Sequence, residues 1–276
     1  MAAEGLIRPA AVAIMPTSRG SRVLPRVLFV GPLAGLLAGC TSSTYTWGWY
    51  VVSPFDPRGQ KNIAFLADGI WATISISVTA ILFSVAIGIV FALMALSKSR
   101  SARAANRIYV ESVRAVPMLV LLLWVYYGLP VVFGLQFSVF VAGVITLALS
   151  DSAFEAEIFR AGIQSIHKGQ VEAAQALGLT PLQSMRLVVL PQAIRRILPA
   201  LGNQFVYVLK MSSLVSVVGY QELTRRANEL TLVEYRPLEI YSLLVLEYLA
   251  LILVVSWLVR RVERRLGASD GPTAKH

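Results

Sequence analysis

Charged residues are so sparse along this chain that its apolar runs can be read directly. No Asp, Glu, Lys or Arg occurs between Asp68 and Lys98. A membrane-crossing helix needs about 20 apolar residues, so the pattern predicts one over Ile70–Leu96. Its interspersed Thr73, Ser75, Ser77, Thr79, Ser84 and Gly88 suit close helix packing in lipid. A second uncharged stretch, Ala115–Ser150, is too long for one crossing and is interrupted by Gly128-Leu129-Pro130 and Gly134. It predicts two helices, Ile108–Leu129 and Phe137–Phe154, joined by a short turn. A fourth is predicted over Leu198–Val218, holding Lys210, and a fifth over Glu239–Val259, holding Glu247.

Composition agrees with an all-α integral membrane chain of five helices. Of 276 residues, 56% are hydrophobic and 14% charged, against about 25% charged in an ordinary soluble domain. The net charge of +10 does not indicate nucleic acid once its distribution is considered. If the loop Ser97–Arg107 is cytoplasmic, five crossings put Ala153–Arg196 and the tail from Arg260 on the same side. With Met1–Arg26, these segments hold 18 of the 25 basic residues. Only Arg58, Lys61, Arg225, Arg226 and Arg236 fall opposite, which is the positive-inside pattern with a cytoplasmic C-terminus. One cysteine excludes a disulfide framework, and His167 and His276 are too few for a histidine-rich metal site.

The N-terminus admits two readings. A 13-residue apolar run, Val27–Gly39, follows Arg19, Arg22 and Arg26 and ends Leu37-Ala38-Gly39-Cys40, as a secretory signal would. The ending resembles a bacterial lipobox, in which Cys40 would be acylated and become the new N-terminus; Met15 would then serve as a start giving a signal of ordinary length. The alternative is an extra membrane helix extending into Tyr45–Val52, with Cys40 inert. The expected organisation is a signal-like segment 1–40, an outer segment 41–68, the transmembrane domain 69–265 and a cytoplasmic tail 266–276. Tyr45, Trp47, Trp49 and Tyr50 fit an interfacial aromatic belt.

The largest cytoplasmic segment carries the densest local signals. Gly169 is expected to end one helix and Val171–Leu177 to form a short second one. Gly178 can then take the left-handed conformation that terminates it. Thr180 can cap a third helix with Pro181 at its first position, and Val188-Val189-Leu190-Pro191 is expected to end that helix before the next crossing. Ala173, Ala174 and Ala176 keep the short helix narrow. The product is a helix–glycine turn–helix knob with no catalytic constellation.

Glu172-Ala173-Ala174, Gly178 after three intervening residues, then Val188 and Leu190-Pro191 resemble the EAA signature of ABC importer permeases, with Val188 where the family usually has Ile. Glu157-Ile-Phe-Arg160-Ala-Gly162-Ile and Lys210-Met-Ser-Ser-Leu214 resemble its polar amino acid branch (the histidine/glutamine/glutamate type). The resemblance covers about Asn62 to Arg265 and implies a five-helix type I importer transmembrane domain. It also implies that Gln170–Ser184 docks in a cleft of an ATPase subunit, with Glu172 and Gly178 most diagnostic. The implied partners are two ATPases, a second permease subunit (a homodimer or a similar chain) and a periplasmic solute-binding protein in a bacterial inner membrane. The chain contains no Gly-x-x-x-x-Gly-Lys-Ser/Thr phosphate loop, so no cofactor is expected and ATP belongs to the partner ATPase.

Ionisable groups within a bilayer are functional candidates by default. Lys210, beside Ser212 and Ser213, is the first candidate for the substrate pathway, where it could meet a carboxylate or simply neutralise Glu247. Asp151 and Glu155, one turn apart, are the second, unless the helix end merely leaves them among headgroups. Glu111 and Arg114 have the spacing of a local ion pair, and Glu222, Arg225, Arg226 and Glu229 that of a solvated outer helix. Met211 stands where the family often has an acidic residue, which leaves the substrate open. Another polar solute such as an opine is the alternative. A lipid enzyme would need a clustered site the sequence does not offer, and a passive channel would not need a docking loop.

Overall fold

The structure is a computed structural model and describes residues 45–265. The chain divides into Met1–Thr46 and Trp47–His276; the description that follows concerns the second unit. The signal-like segment, Met15, Cys40 and the C-terminal tail lie outside the described residues.

After a 3-10 turn at Trp49–Val52, the described residues form eight longer helices: α1 Pro57–Leu96, α2 Arg100–Ala115, α3 Met118–Phe133, α4 Val139–Gln164, α5 Lys168–Ala176, α6 Pro181–Val218, α7 Leu223–Glu234 and α8 Pro237–Arg265. Four of them, α1, α4, α6 and α8, are long and apolar enough to cross a membrane, and the bent pair α2–α3 is a fifth candidate. Four of the five predicted spans therefore each fall on one long helix, with corrected boundaries, and the second falls on the bent pair.

α1 begins 13 residues before its predicted start, because Asp56 caps it by accepting from the Arg58 and Gly59 N–H groups and Pro57 suits the first turn. Its small and polar residues form the buried face: Gly69, Thr73, Ser77, Ala80, Ser84, Gly88 and Ala92. A Cβ added at Gly88 would lie 2.5 Å from the Cβ of Glu155, so glycine is what lets α1 and α4 approach this closely. The hydroxyls of Thr73 and Ser77 bond back to the carbonyls of Gly69 and Thr73. They therefore bring no unsatisfied polar group to the interface.

The second predicted span is not one straight helix. α2 and α3 meet at 97°, because Pro117 lacks an N–H and forces Val116 into extended backbone (ψ 124°). The apolar pattern runs through this proline without a break, which is why hydropathy alone missed the bend. Two other prolines are absorbed instead. π-turns at Trp124–Gly128 and Met185–Val189 immediately precede Leu129-Pro130 and Leu190-Pro191, shifting the hydrogen-bond ladder past each ring. The expectation that Pro191 ends a helix is thus corrected: α6 runs unbroken from Pro181 to Val218, with its last turns, Ser212–Val218, wound as 3-10 helix.

The main core joins α1, α3, α4 and α6 through Ile76, Ala80, Leu122, Val144, Leu147, Val208 and Val215. α7 and α8 pack on the Trp49 end of α1 through Leu66, Ala227, Leu230 and Ile240. The outer segment is tied to the same end. Val51 is fully buried, its carbonyl accepts from Asn62 at 2.9 Å, and Gly48 N–H donates to Glu239 at 2.5 Å. Trp47 and Trp49 stack 5.4 Å apart and stay about half exposed.

Candidate functional site

The α4–α6 connection is built by local rules. α4 continues to Gln164, ten residues past its predicted end. His167, not Gly169, marks the next boundary: its Nδ1 accepts from Gly169 N–H at 3.1 Å and caps α5. Gly169 therefore lies inside the first turn of α5, a correction that a histidine cap made hard to foresee. α5 ends as expected. Gly178 adopts φ +81°, Leu179 N–H bonds to Ala174 O at 3.2 Å and Gly178 N–H to Gln175 O at 2.9 Å. These are the paired bonds of a Schellman terminus. Thr180 then caps α6 in a reciprocal box: Gln183 N–H donates to its Oγ1, and its own N–H donates to Gln183 Oε1 at 2.8 Å.

The resulting knob is anchored on one side and bare on the other. Ile166, Val171, Val189, Ala193 and Ile197 pack together beneath it. Gln192 donates to Val188 O, and Arg196 to Ser165 O at 2.5 Å. Ala174 is 4% exposed and belongs to the anchored side, so it does not narrow the outer surface as expected, whereas Ala173 does. Glu172, Gly178 and Pro191 are exposed. So are Leu177 at 84%, Leu182 at 78%, Leu187 at 61% and Leu190 at 37%. Arg160 is held to Glu157 at 2.6 Å and to Gln164 at 2.6 Å at the root of the knob.

The intramembrane candidates separate into two places. Asp151 and Glu155 are 2% and 0% exposed. They are not at a helix end, because α4 runs on beyond them. Asp151 accepts from Ser84 of α1 at 2.7 Å and from the amide of Gln204 of α6. Neither carboxyl oxygen of Glu155 has a hydrogen-bond partner. Lys210 lies elsewhere. It is exposed and lines an open groove of about 290 Å³ with Ser213, Thr224, Tyr248 and Ile252. Ser213 bonds back to Lys210 O, and Ser212 is buried and bonds to Leu209 O. Glu247 keeps a buried oxygen without a partner and forms no ion pair with Lys210 among the described residues.

Sequence reasoning missed the polar network at the far end of this groove. Glu222 is fully buried, not a member of a solvated charge ladder. It caps α7 by accepting from Arg225 N–H at 2.7 Å and accepts from the Tyr248 hydroxyl at 2.7 Å. Burial pushes its carboxyl above the ordinary range. Glu229 does pair with Arg225 at 2.8 Å, and hydrogen bonds from Gln221 and Arg225 hold its carboxyl below that range. The Glu111–Arg114 ion pair does not form; Arg114 lies 4.8 Å over the Phe154 ring instead. Among the described residues no cluster of His, Cys, Asp and Glu could hold a metal ion.

Comparison with known proteins agrees with a transport scaffold. The family described as "binding-protein-dependent transport system inner membrane component" matches residues 84–268. The glutamine transport system permease protein GlnP of Escherichia coli K12 is 38% identical over 205 residues, covering 74% of this chain and 94% of that protein. The crystal structure of an amino acid ABC transporter with histidines superposes with a TM-score of 0.73 at 39% identity, covering 80% of this chain and 100% of that one. An inward-facing MetNI methionine ABC transporter shares the fold, with a TM-score of 0.65 at 20% identity over 75% of this chain and 98% of that one. The chain therefore belongs to the family of binding-protein-dependent transport system inner membrane components, as a multi-pass permease subunit of an amino acid ABC importer.

Proposed function

We propose that this chain moves a polar amino acid by alternating access, driven by a separate ATPase that grips the α5–α6 knob. The observation carrying this reading is the knob itself, a rigid glycine-terminated hairpin that presents Leu177, Leu182 and Leu187 to solvent. Exposed leucines outside a bilayer form an association surface, and the Schellman turn and capping box fix the geometry that a cleft would need. The orientation that goes with it follows the basic residues, with the knob, the 97–99 turn and the C-terminus of α8 on the cytoplasmic side. A second copy or a similar chain completes the pathway, and a solute-binding protein delivers substrate to the opposite face. Glutamine is the first substrate to offer, because similar permeases are described as glutamine transporters.

Within this reading Lys210 and Ser213 would meet substrate from the α6–α8 groove, whereas buried Ser212 does not line it, and the Lys210 ammonium suits an α-carboxylate. Asp151 and Glu155 fit a pathway role less well, since both are buried against α1, where Asp151 is already held by Ser84. The test is uptake into proteoliposomes holding the permease and its ATPase, with labelled glutamine and the binding protein supplied outside. Accumulation that requires ATP hydrolysis, and that falls at least tenfold in Lys210→Met, is the expected result. Equilibration without ATP would instead mean a passive channel and end the proposal.

A further inference from the structure

α2 has a basic face that the transport reading leaves unused. Arg100, Arg103, Arg107 and Arg114 recur at offsets that bring them within one narrow arc of the helix, with Glu111 among them. The adjoining face, Tyr109, Val110 and Val113, packs on α1 and α4: Tyr109 stacks on Phe91 at 3.6 Å and bonds to Ser152 at 2.6 Å. Between the inner end of α1, α2 and α4 lies a cavity of about 380 Å³, lined by Arg103, Arg107, Arg114 and Arg160 with Glu111, Glu157 and Asn106.

The charges around this cavity do not cancel internally. Glu157 is taken by Arg160. Arg103 is held in place by the carbonyls of Ser97 and Lys98 at 2.9 and 3.0 Å, which fix it without neutralising it. Arg107 has neither a hydrogen bond nor an ion pair among the described residues, and Arg114 only the Phe154 ring. Three guanidinium groups thus face one free carboxylate, Glu111. The side chain of Asn106 adds a second observation: it is 7% exposed, and its amide oxygen is buried at this wall without a donor.

We propose that the cavity binds an anionic phospholipid whose headgroup carries a hydroxyl, such as phosphatidylglycerol. Its phosphate meets Arg103, Arg107 and Arg114, and its hydroxyl donates to the oxygen of Asn106. A lipid is the source argued for because the cavity lies at the cytoplasmic end of membrane helices in the orientation proposed above. Ile108 on the same helix is also 66% exposed, offering apolar surface for an acyl chain. Basic pockets between membrane helices on the cytoplasmic side are the recognised form of such sites.

Native mass spectrometry of the permease–ATPase complex, released from nanodiscs containing equal phosphatidylglycerol and phosphatidylcholine, tests this. Retention of phosphatidylglycerol over phosphatidylcholine is expected, falling by roughly fivefold for each arginine removed in Arg103→Gln and Arg107→Gln. Arg264→Gln, which removes the same charge from the end of α8, should leave retention unchanged. Equal loss in Arg264→Gln would reduce the effect to general surface charge and overturn the site. So would a wild-type complex that shows no preference, a measurement that needs no variant to fold. Displacement of the lipid by inorganic phosphate, but not by the same ionic strength of chloride, would make this a soluble-anion site and also overturn the proposal. Lipid retention is read without transport, so its failure leaves the importer reading standing.

Discussion

Between α1 and α4 the chain buries Asp151 and Glu155 at 2% and 0% exposure, whereas on the α5–α6 knob Leu177 and Leu182 are 84% and 78% exposed. The first region is governed by backbone approach. Gly88, Ser84 and the other small residues of α1 bring two helices so close that carboxylates on α4 have no route to solvent. The second is governed by length. α6 has 38 residues and is about 57 Å long, nearly twice the hydrocarbon thickness of a bilayer. One end of it must project, and lipid cannot cover leucines there. Buried carboxylates in the first region thus report tight packing, and exposed leucines in the second form the surface proposed to dock the ATPase.

The largest stability change should come from prying the first region apart. Gly88→Val would drive a branched side chain into Glu155 and cost about 3 kcal/mol by overpacking, read as a lowered melting temperature in detergent. The two carboxylates should then respond with opposite signs. Asp151→Leu strips Ser84 and Gln204 of their shared acceptor and costs about 2 kcal/mol. Glu155→Met removes a buried group with no partner and stabilises by about 1 kcal/mol. A melting temperature that falls in Glu155→Met would mean the carboxyl does have a role in the folded state.

A smaller effect is expected where α7 joins the bundle. Burial raises the Glu222 carboxyl above its ordinary range, against hydrogen bonds from Thr224, Tyr248 and Arg225 that oppose the shift. The folded chain therefore keeps this proton to higher pH than the unfolded chain does. Its contribution is fullest in acid and is lost as pH rises through the raised value. Relative to Glu222→Gln, the wild-type melting temperature should decline across that range. Parallel melting curves for the two proteins would contradict the assignment. Smallest of all is the effect on the knob: Leu182→Asp should change stability by under about 0.5 kcal/mol while weakening ATPase association, so the two readouts separate in this region and coincide in the other.

Both regions were partly legible in the sequence, for different reasons. Gly178, Thr180 and Pro181 act through rules confined to a few residues, and each took the conformation expected of it. The apolar runs located the four long helices α1, α4, α6 and α8, because hydropathy needs no knowledge of neighbours. The bend at Pro117 and the passage of α6 through Pro191 were not legible, since a proline breaks a helix or is absorbed by a π-turn according to the packing around it. The burial of Asp151 and Glu155 was missed because the predicted third helix stopped at Phe154. A terminus there would have solvated both groups, whereas α4 runs on ten residues beyond Phe154. The burial of Glu222 was not legible for a similar reason: its partner Tyr248 is distant in sequence.

Co-purification of the ATPase with a Gly178→Pro permease tests the central claim most directly. Proline cannot adopt φ +81° and cannot supply the N–H that bonds to Gln175. The knob should lose its shape while the rest of the bundle melts as in wild type. The account predicts that the ATPase no longer co-purifies and that ATP-driven uptake is lost. An unchanged ATPase content together with unchanged uptake would show that the knob is not where the energy enters.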